Sequence, residues 1–235
     1  MTADHTGNTL LQCFERDHRV FDQLELIPFE SQRELYPQGV ALKHVFFPIS
    51  GIVSLVYMME NGDSVELAIV GKEGAVGMPM VIAGGKTQHR ALTQVSGQGY
   101  RLSEKSFQEL FNGCDLFRKV FLYYNLPITS QTSMNAVCNR YHPIEQQLCK
   151  WLLLCFDRLE GNELRMTQES IGAMIGVRRE GINAAAARLQ AMGAISYRRG
   201  SITLLDRSKL QGLVCSCYQV VQDEYFRLSQ LRICG

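Results

Sequence analysis

The sequence predicts an α+β fold: an N-terminal double-stranded antiparallel β-roll, a long central helix and a C-terminal winged helix-turn-helix. Three observations predict it. Between Tyr36 and Leu102, short β-prone runs are separated by glycine turns with no helical stretch between them. A helical period then runs from Asp115 to about Tyr141. Finally, Thr167 to Leu189 reads as two short helices about a glycine, and a basic hairpin follows it.

In chain order, the first 35 or so residues carry two short amphipathic patterns, around Leu10–Phe14 and Val20–Leu26, the second ended by Pro28. They predict a helical cap with no chemistry of its own. His44–Phe47 and Ile52–Met58 read as strands with Pro48–Gly51 as their turn. Asn61-Gly62 is a strong hairpin signal because both residues tolerate positive φ, and Ser64–Val70 is the return strand. Ala91–Val95 and Gly99–Leu102 complete the roll. Ser103 caps a helix reaching about Phe111, and Asn112-Gly113 ends it. The central helix carries Leu116, Val120, Tyr123, Tyr124, Ile128, Met134 and Val137, which predicts a dimer seam, and Pro127 inside it predicts a kink or a break. His142-Pro143 marks a hinge, followed by an amphipathic helix through Ile144, Leu148, Trp151, Leu152, Cys155 and Leu159 that ends at Gly161.

Thr167 then caps a helix whose apolar face is Ile171, Met174 and Ile175, and Gly176 supplies the left-handed turn. The second helix buries Ile182, Ala185, Ala186 and Leu189 and leads with Arg178, Arg179 and Glu180. In a helix-turn-helix, that leading end reaches base edges in the major groove. Ala194–Tyr197 and Ile202–Leu205 flank Arg198-Arg199-Gly200-Ser201, a β-hairpin wing placed to lie along phosphates. From Arg165 to Lys209 eight Lys and Arg face three Asp and Glu, whereas the whole chain carries only +1. Positive charge is thus concentrated on the motif, as a phosphate-binding face requires. Ser208 to Arg232 predicts one further C-terminal helix.

No apolar run approaches the ~20 residues of a membrane span, and the N-terminus lacks a basic region followed by an apolar run, so a cytoplasmic location is expected. The eight cysteines are scattered, with no C-x-x-C and no Cys/His pair at zinc spacing. They read mostly as small buried hydrophobes, with Cys215-Ser-Cys217 and nearby Cys234 the one suggestive group, and no metal site is expected. No Ser/His/Asp, paired-carboxylate or phosphate-loop pattern appears at useful spacing, which argues against an enzyme.

The order of elements, together with LYPQG, HVFFPISGIVSLV and IGAMIGVRRE, resembles the Crp/Fnr family of bacterial regulators from about Phe21 to Leu210. The resemblance implies a cyclic-nucleotide-binding-like domain over residues 1–114, a dimerisation helix and hinge over 115–142, and a DNA-binding domain over 143–235. It further implies a homodimeric transcription factor that contacts RNA polymerase and whose β-roll senses a signal. The DNA-contacting set it implies here is Thr167, Gln168, Arg178, Arg179, Glu180, Asn183, Arg188, Arg198 and Arg199. Family recognition helices carry Arg-Glu and then an Arg four residues after the Glu; Arg179 and Glu180 match, whereas Ala184 stands third. The effector pocket would be Val76, Gly77, Met78, His89, Arg90, Ala91, Thr129 and Ser130. Val76-Gly77-Met78 lacks the Glu that takes a cyclic nucleotide's ribose, so no such cofactor is expected. The N-terminal cysteine cluster of iron-sulfur members is missing, and His18, His44 and Cys13, as lone haem-ligand candidates, read as structural. The alternative is a small-molecule or redox sensor acting mainly through a protein partner.

Overall fold

A computed structural model describes residues 7–14 and 17–230. Two short helices, α1 (Thr9–Gln12) and α2 (His18–Phe21), precede the roll. Asn8 caps α1 through its Oδ1 and also donates to the carbonyls of Pro48 and Gly74 at 2.7 and 2.8 Å, which staples the N-terminal segment to the roll. The second N-terminal pattern is only half helical. Its Leu26 and Pro28 belong to β1 (Glu25–Phe29), and Pro28 is tolerated because β1 is a sheet edge.

The roll consists of two antiparallel sheets. One has the order β1-β7-β3, with β3 His44–Pro48 and β7 Gly97–Ser103; the other has the order β2-β6-β4-β5, with β2 Glu34–Tyr36, β4 Ile52–Met58, β5 Ser64–Val70 and β6 Arg90–Val95. The roll is not free of helix. GMPM opens α3 (Met78–Ala83), with Gly77 at φ 93° as its N-cap and Pro79 in its first turn, a start signal hidden among glycines. Ser103 caps α4 (Glu104–Gly113) by accepting from the Ser106 amide at 3.1 Å.

The central helix α5 (Asp115–Tyr141) continues through Pro127 without a break. Its Phe117, Val120, Phe121 and Tyr124 are buried with Phe14, Phe47 and Phe107 in the first core, where Phe117 and Phe121 lie 4.5 Å apart. Of the seven residues predicted to form the seam, Val120 and Tyr124 are core and Leu116, Ile128 and Met134 pack partly buried against the cores, because the helix lies against the roll; Leu122, Tyr123, Leu126, Val137 and Tyr141 form the face left exposed.

A second core holds the C-terminal domain: α6 (Ile144–Phe156), α7 (Gln168–Ile175), α8 (Arg179–Ala191) and a sheet of order β8-β10-β9, with β8 Glu163–Arg165, β9 Ile195–Arg198 and β10 Ser201–Leu204. It also includes Ile52, Val56 and Ile69 from the roll. The apolar run of β4 explains this: Val53 and Leu55 point into the roll, while Ile52 and Val56 on the opposite face meet the C-terminal domain. A bulge in the β4–β5 pairing, where Leu55 faces Ala68 but Val56 faces Glu66, sets Glu66 and Ile69 on that same outer face. The C-terminal segment forms two helices rather than one, α9 (Arg207–Leu213) and α10 (Cys217–Gln230), with α10 packed along α5. Leu231, Arg232 and Cys234 lie outside the described residues.

Candidate nucleic-acid interface

Thr167 Oγ1 accepts from the Ser170 amide at 3.1 Å and so starts α7; Gly176, at φ 79°, ends it and turns the chain into α8. Gly172 lets the two helices approach, since a Cβ there would lie 2.8 Å from the Val177 carbonyl oxygen. Arg178 occupies the N-cap of α8 without a side-chain capping bond, leaving its guanidinium uncommitted to the helix start. Ile182, Ala185, Ala186 and Leu189 are buried, so Arg179, Glu180, Asn183 and Ala184 form the outward face.

The wing is tied back to this pair. Met166 N donates to the Gly200 carbonyl at 2.8 Å, and Tyr197 OH donates to the Met166 carbonyl at 2.9 Å. Arg199 and Gly200 both adopt positive φ, 49° and 77°, the geometry of a tight two-residue turn matched to strand twist. The result is an open cleft of about 410 Å³ lined by Thr167, Gln168, Glu169, Arg179, Tyr197, Arg199 and Gly200. Of the nine residues expected at a nucleic-acid surface, Thr167, Gln168, Arg179 and Arg199 thus line one cleft. Glu180, Asn183 and Arg198 are exposed beside it in sequence. Arg178 instead lines a second groove of about 620 Å³, between the helix-turn-helix and the β4–β5 hairpin at Gly62, Asp63 and Val65. Arg188 is ion-paired with Glu145 of α6.

The expected effector residues do not form one group. Val76 pairs with Phe46 through backbone bonds of 2.8 and 2.9 Å, and Met78 and Ala91 are buried in the roll core. Gly77 and His89 meet around Tyr36, whose hydroxyl lies 3.3 Å from His89 Nε2. Arg90 is held by Glu34 at 3.1 Å. Thr129, on α5, is exposed, and Ser130 is half-buried.

Two features escaped the sequence reading. The first is a polar seam between the domains. Glu66 is buried and accepts from Ser54 Oγ at 2.5 Å and Trp151 Nε1 at 2.9 Å; burial pushes its carboxyl up to about 7. Arg158, two residues beyond α6, reaches Glu73 of the roll at 2.7 Å. The second is a cluster of Cys138, His142, Cys215 and Cys217, whose ligand-capable atoms all lie within 4.8 Å of one another. The expectation of no Cys/His pair at zinc spacing passed over Cys138 and His142, which stand four residues apart where α5 ends. Among the described residues six cysteines are free thiols, whereas Cys13 is disulfide-bonded.

The roll and the helix-turn-helix define a two-domain regulator: a cyclic-nucleotide-binding-type domain joined by a long helix to a winged DNA-binding domain. Two family models match in that order, the cyclic nucleotide-binding domain over residues 26–114 and the Crp-like helix-turn-helix domain over residues 146–213. The chain belongs to the Crp/Fnr family, and it is a DNA-binding transcriptional regulator. Among solved structures, it is similar to FixK2 from Bradyrhizobium japonicum, at TM-score 0.71 and 14% identity over 82% of this chain and 98% of that one. It is also similar to the c-di-GMP responsive global regulator CLP from Xanthomonas campestris, at TM-score 0.65 and 18% identity over 79% and 96%. A CRP/FNR-family regulator from Thermus thermophilus gives TM-score 0.65 and 19% identity over 80% and 97%. No curated protein sequence matches the chain. Among the described residues, no helix is long and apolar enough to cross a membrane.

Proposed function

We propose that the chain works as a homodimer whose α8 helices read two half-sites in successive major grooves and whose β-roll responds to a signal by repositioning them. The observation that carries the DNA reading is the shared cleft of Thr167, Gln168, Arg179 and Arg199, set in the most basic part of the sequence. Arg179 would lie bidentate against guanine O6 and N7, and Glu180 would accept from cytosine N4. Asn183 and Arg188 would contact the groove margin, the latter after leaving Glu145. Arg198, Arg199, Thr167 and Gln168 would hold phosphates on either side. Arg178 would join them once the β4–β5 hairpin moves away from its groove.

The dimer reading is supported by the outer face of α5, where Leu122, Leu126 and Tyr141 are 54%, 50% and 75% exposed. An apolar stripe of this kind on a long helix is stabilised by a second copy. Pairing would set the spacing of the two recognition helices, and RNA polymerase would be met at the surface that remains. For the signal, Gly77 and His89 around Tyr36 are the better-grouped candidates; Arg90 would have to exchange Glu34 for an anionic ligand. With no Glu in Val76-Gly77-Met78, the pocket is a poor match to a cyclic nucleotide.

The test is fluorescence anisotropy with labelled duplex over a salt series. The reading predicts a steep loss of affinity with salt, and a slope smaller by about 1 per protomer in Arg199→Ala. Binding that ignores both salt and Arg199 would overturn it, in favour of a sensor that works through a protein partner.

A further inference from the structure

The cluster of Cys138, His142, Cys215 and Cys217 lies outside both main cores; the three cysteines, with Met134 against them, make a small buried group of their own. Cys138 lies in the last turn of α5, and His142, four residues on, is the helix's C-cap, its amide donating to the Cys138 carbonyl where the chain turns into α6. Cys215 and Cys217 flank Ser216 in the link between α9 and α10. Four potential ligands therefore come from two distant stretches of chain, the three cysteines buried and His142 half-buried beside them.

The separations suit a single tetrahedral ion. Cys138 Sγ lies 3.6 Å from Cys215 Sγ, and Cys217 Sγ lies 3.6 Å from His142 Nδ1. With Zn–S about 2.3 Å and Zn–N about 2.0 Å, neighbouring ligand atoms of a tetrahedral zinc stand roughly 3.5–3.8 Å apart. No ligand atom here is more than 4.8 Å from another, so small side-chain rotations close the cage. A multinuclear iron-sulfur cluster spreads its ligands over several irons and needs a wider cage. A Cys138–Cys215 disulfide would use two of the four groups and leave the Cys217–His142 contact without a purpose.

Charge points the same way. Lys150 is buried, makes no ion pair among the described residues, and acts electrostatically on both Cys138 and Cys217. Its Nζ donates to Asn135 Oδ1 at 2.6 Å. Zinc bound by three thiolates and a neutral imidazole carries one net negative charge, which this ammonium offsets.

We propose that Cys138, His142, Cys215 and Cys217 form a closed mononuclear zinc site that clasps the α9–α10 link to the hinge between the central helix and the winged domain. Binding converts three thiols to thiolates and releases three protons, with no change of oxidation state. Because the site spans the hinge, metal occupancy sets how firmly α10 is held along α5 and how freely the winged domain moves.

The test uses the full chain, reduced and metal-free, titrated anaerobically with Co²⁺ and then with Zn²⁺. A single equivalent of Co²⁺ per chain should give thiolate-to-cobalt charge-transfer bands and the intense visible bands of tetrahedral cobalt, and stoichiometric Zn²⁺ should bleach both. Cys138→Ser and Cys217→Ser should weaken Zn²⁺ binding by more than the roughly 10–100-fold that loss of an outer-shell partner costs. Cys114→Ser, a free thiol elsewhere in the chain, should change nothing. Should the serine variants fail to fold, His142→Cys keeps the test open, since it should retain the metal with a more thiolate-rich spectrum. The proposal is overturned by weak octahedral cobalt bands, by a Cys138–Cys215 disulfide in peptide maps with no metal uptake after reduction, or by iron and acid-labile sulfide in protein from its own host.

Discussion

Glu66 is a carboxyl group at the boundary between the domains, and its replacement by glutamine is the most quantitative test of how that boundary is held. Burial raises its pKa from 4.5 to about 7, against the opposing influence of hydrogen bonds from Ser54 and Trp151 and the charges of Arg158 and Lys150. A carboxyl whose pKa is raised by folding binds its proton more tightly in the folded chain than in the unfolded one. Stability from this group is therefore greatest where it is neutral in both states, below about pH 4.5, and declines until the folded group ionises near 7. At 1.36 kcal/mol per pH unit, that interval corresponds to about 3 kcal/mol. Glu66→Gln preserves the shape, can accept from Trp151 and donate to Ser54, and never ionises. Urea unfolding of both proteins over a pH series can be followed through Trp151, the only tryptophan. The variant should gain about 3 kcal/mol over wild type at about pH 8 and nothing near pH 4.5. An equal difference at every pH, or wild-type and variant profiles that coincide, would refute the reasoning.

Other substitutions address the remaining joints. Glu73→Ala removes the ion-pair partner of buried Arg158 and should cost about 3–5 kcal/mol in urea unfolding, whereas an exposed ion pair such as Arg33–Glu30 should cost less than about 1 kcal/mol. Gly176→Ala has room, since its Cβ would meet Val65 Cγ2 at 3.4 Å, but its φ of 79° should cost about 1–2 kcal/mol and lower Tm in thermal unfolding. Leu126→Glu places a charge on the exposed face of α5 and should shift the chain to a monomer in sedimentation without loss of helix by circular dichroism; an unchanged dimer would move the seam elsewhere.

Legibility in the sequence followed how local each signal was. Thr167, Gly176, Arg199 and Gly200 act within a few residues of themselves, through caps and positive φ, so the helix-turn-helix and wing were readable. The β4–β5 hairpin was equally open, because Asn61-Gly62 and the flanking runs give both the turn and the strands. The apolar run Ile52–Val56 marked a strand but not its second partner; only docking of the winged domain on its outer face shows why Ile52 and Val56 are buried. Pro127 suggested a broken helix, yet the segment between two packed domains stays continuous because its buried face spans the proline. Glu66, Arg158 and the joining of Cys138 and His142 to Cys215 and Cys217 were invisible for one reason, although Cys215-Ser-Cys217 stands out as a suggestive group in the sequence. Each is paired across roughly 70 to 85 residues by tertiary packing, and no local pattern reports that. The C-terminal break at Val214–Ser216 was missed likewise, although it is what brings Cys215 and Cys217 to the hinge.

The central claim is that Arg179 at the start of α8 reads base sequence, and selection from a random duplex pool tests it most directly. Wild-type protein should enrich a two-fold symmetric site with a required G·C pair in each half. Arg179→Ala should lose about 1–3 kcal/mol of discrimination at that pair while keeping the salt dependence of binding. Enrichment of no sequence, or of the same sequence with undiminished preference in Arg179→Ala, would contradict it.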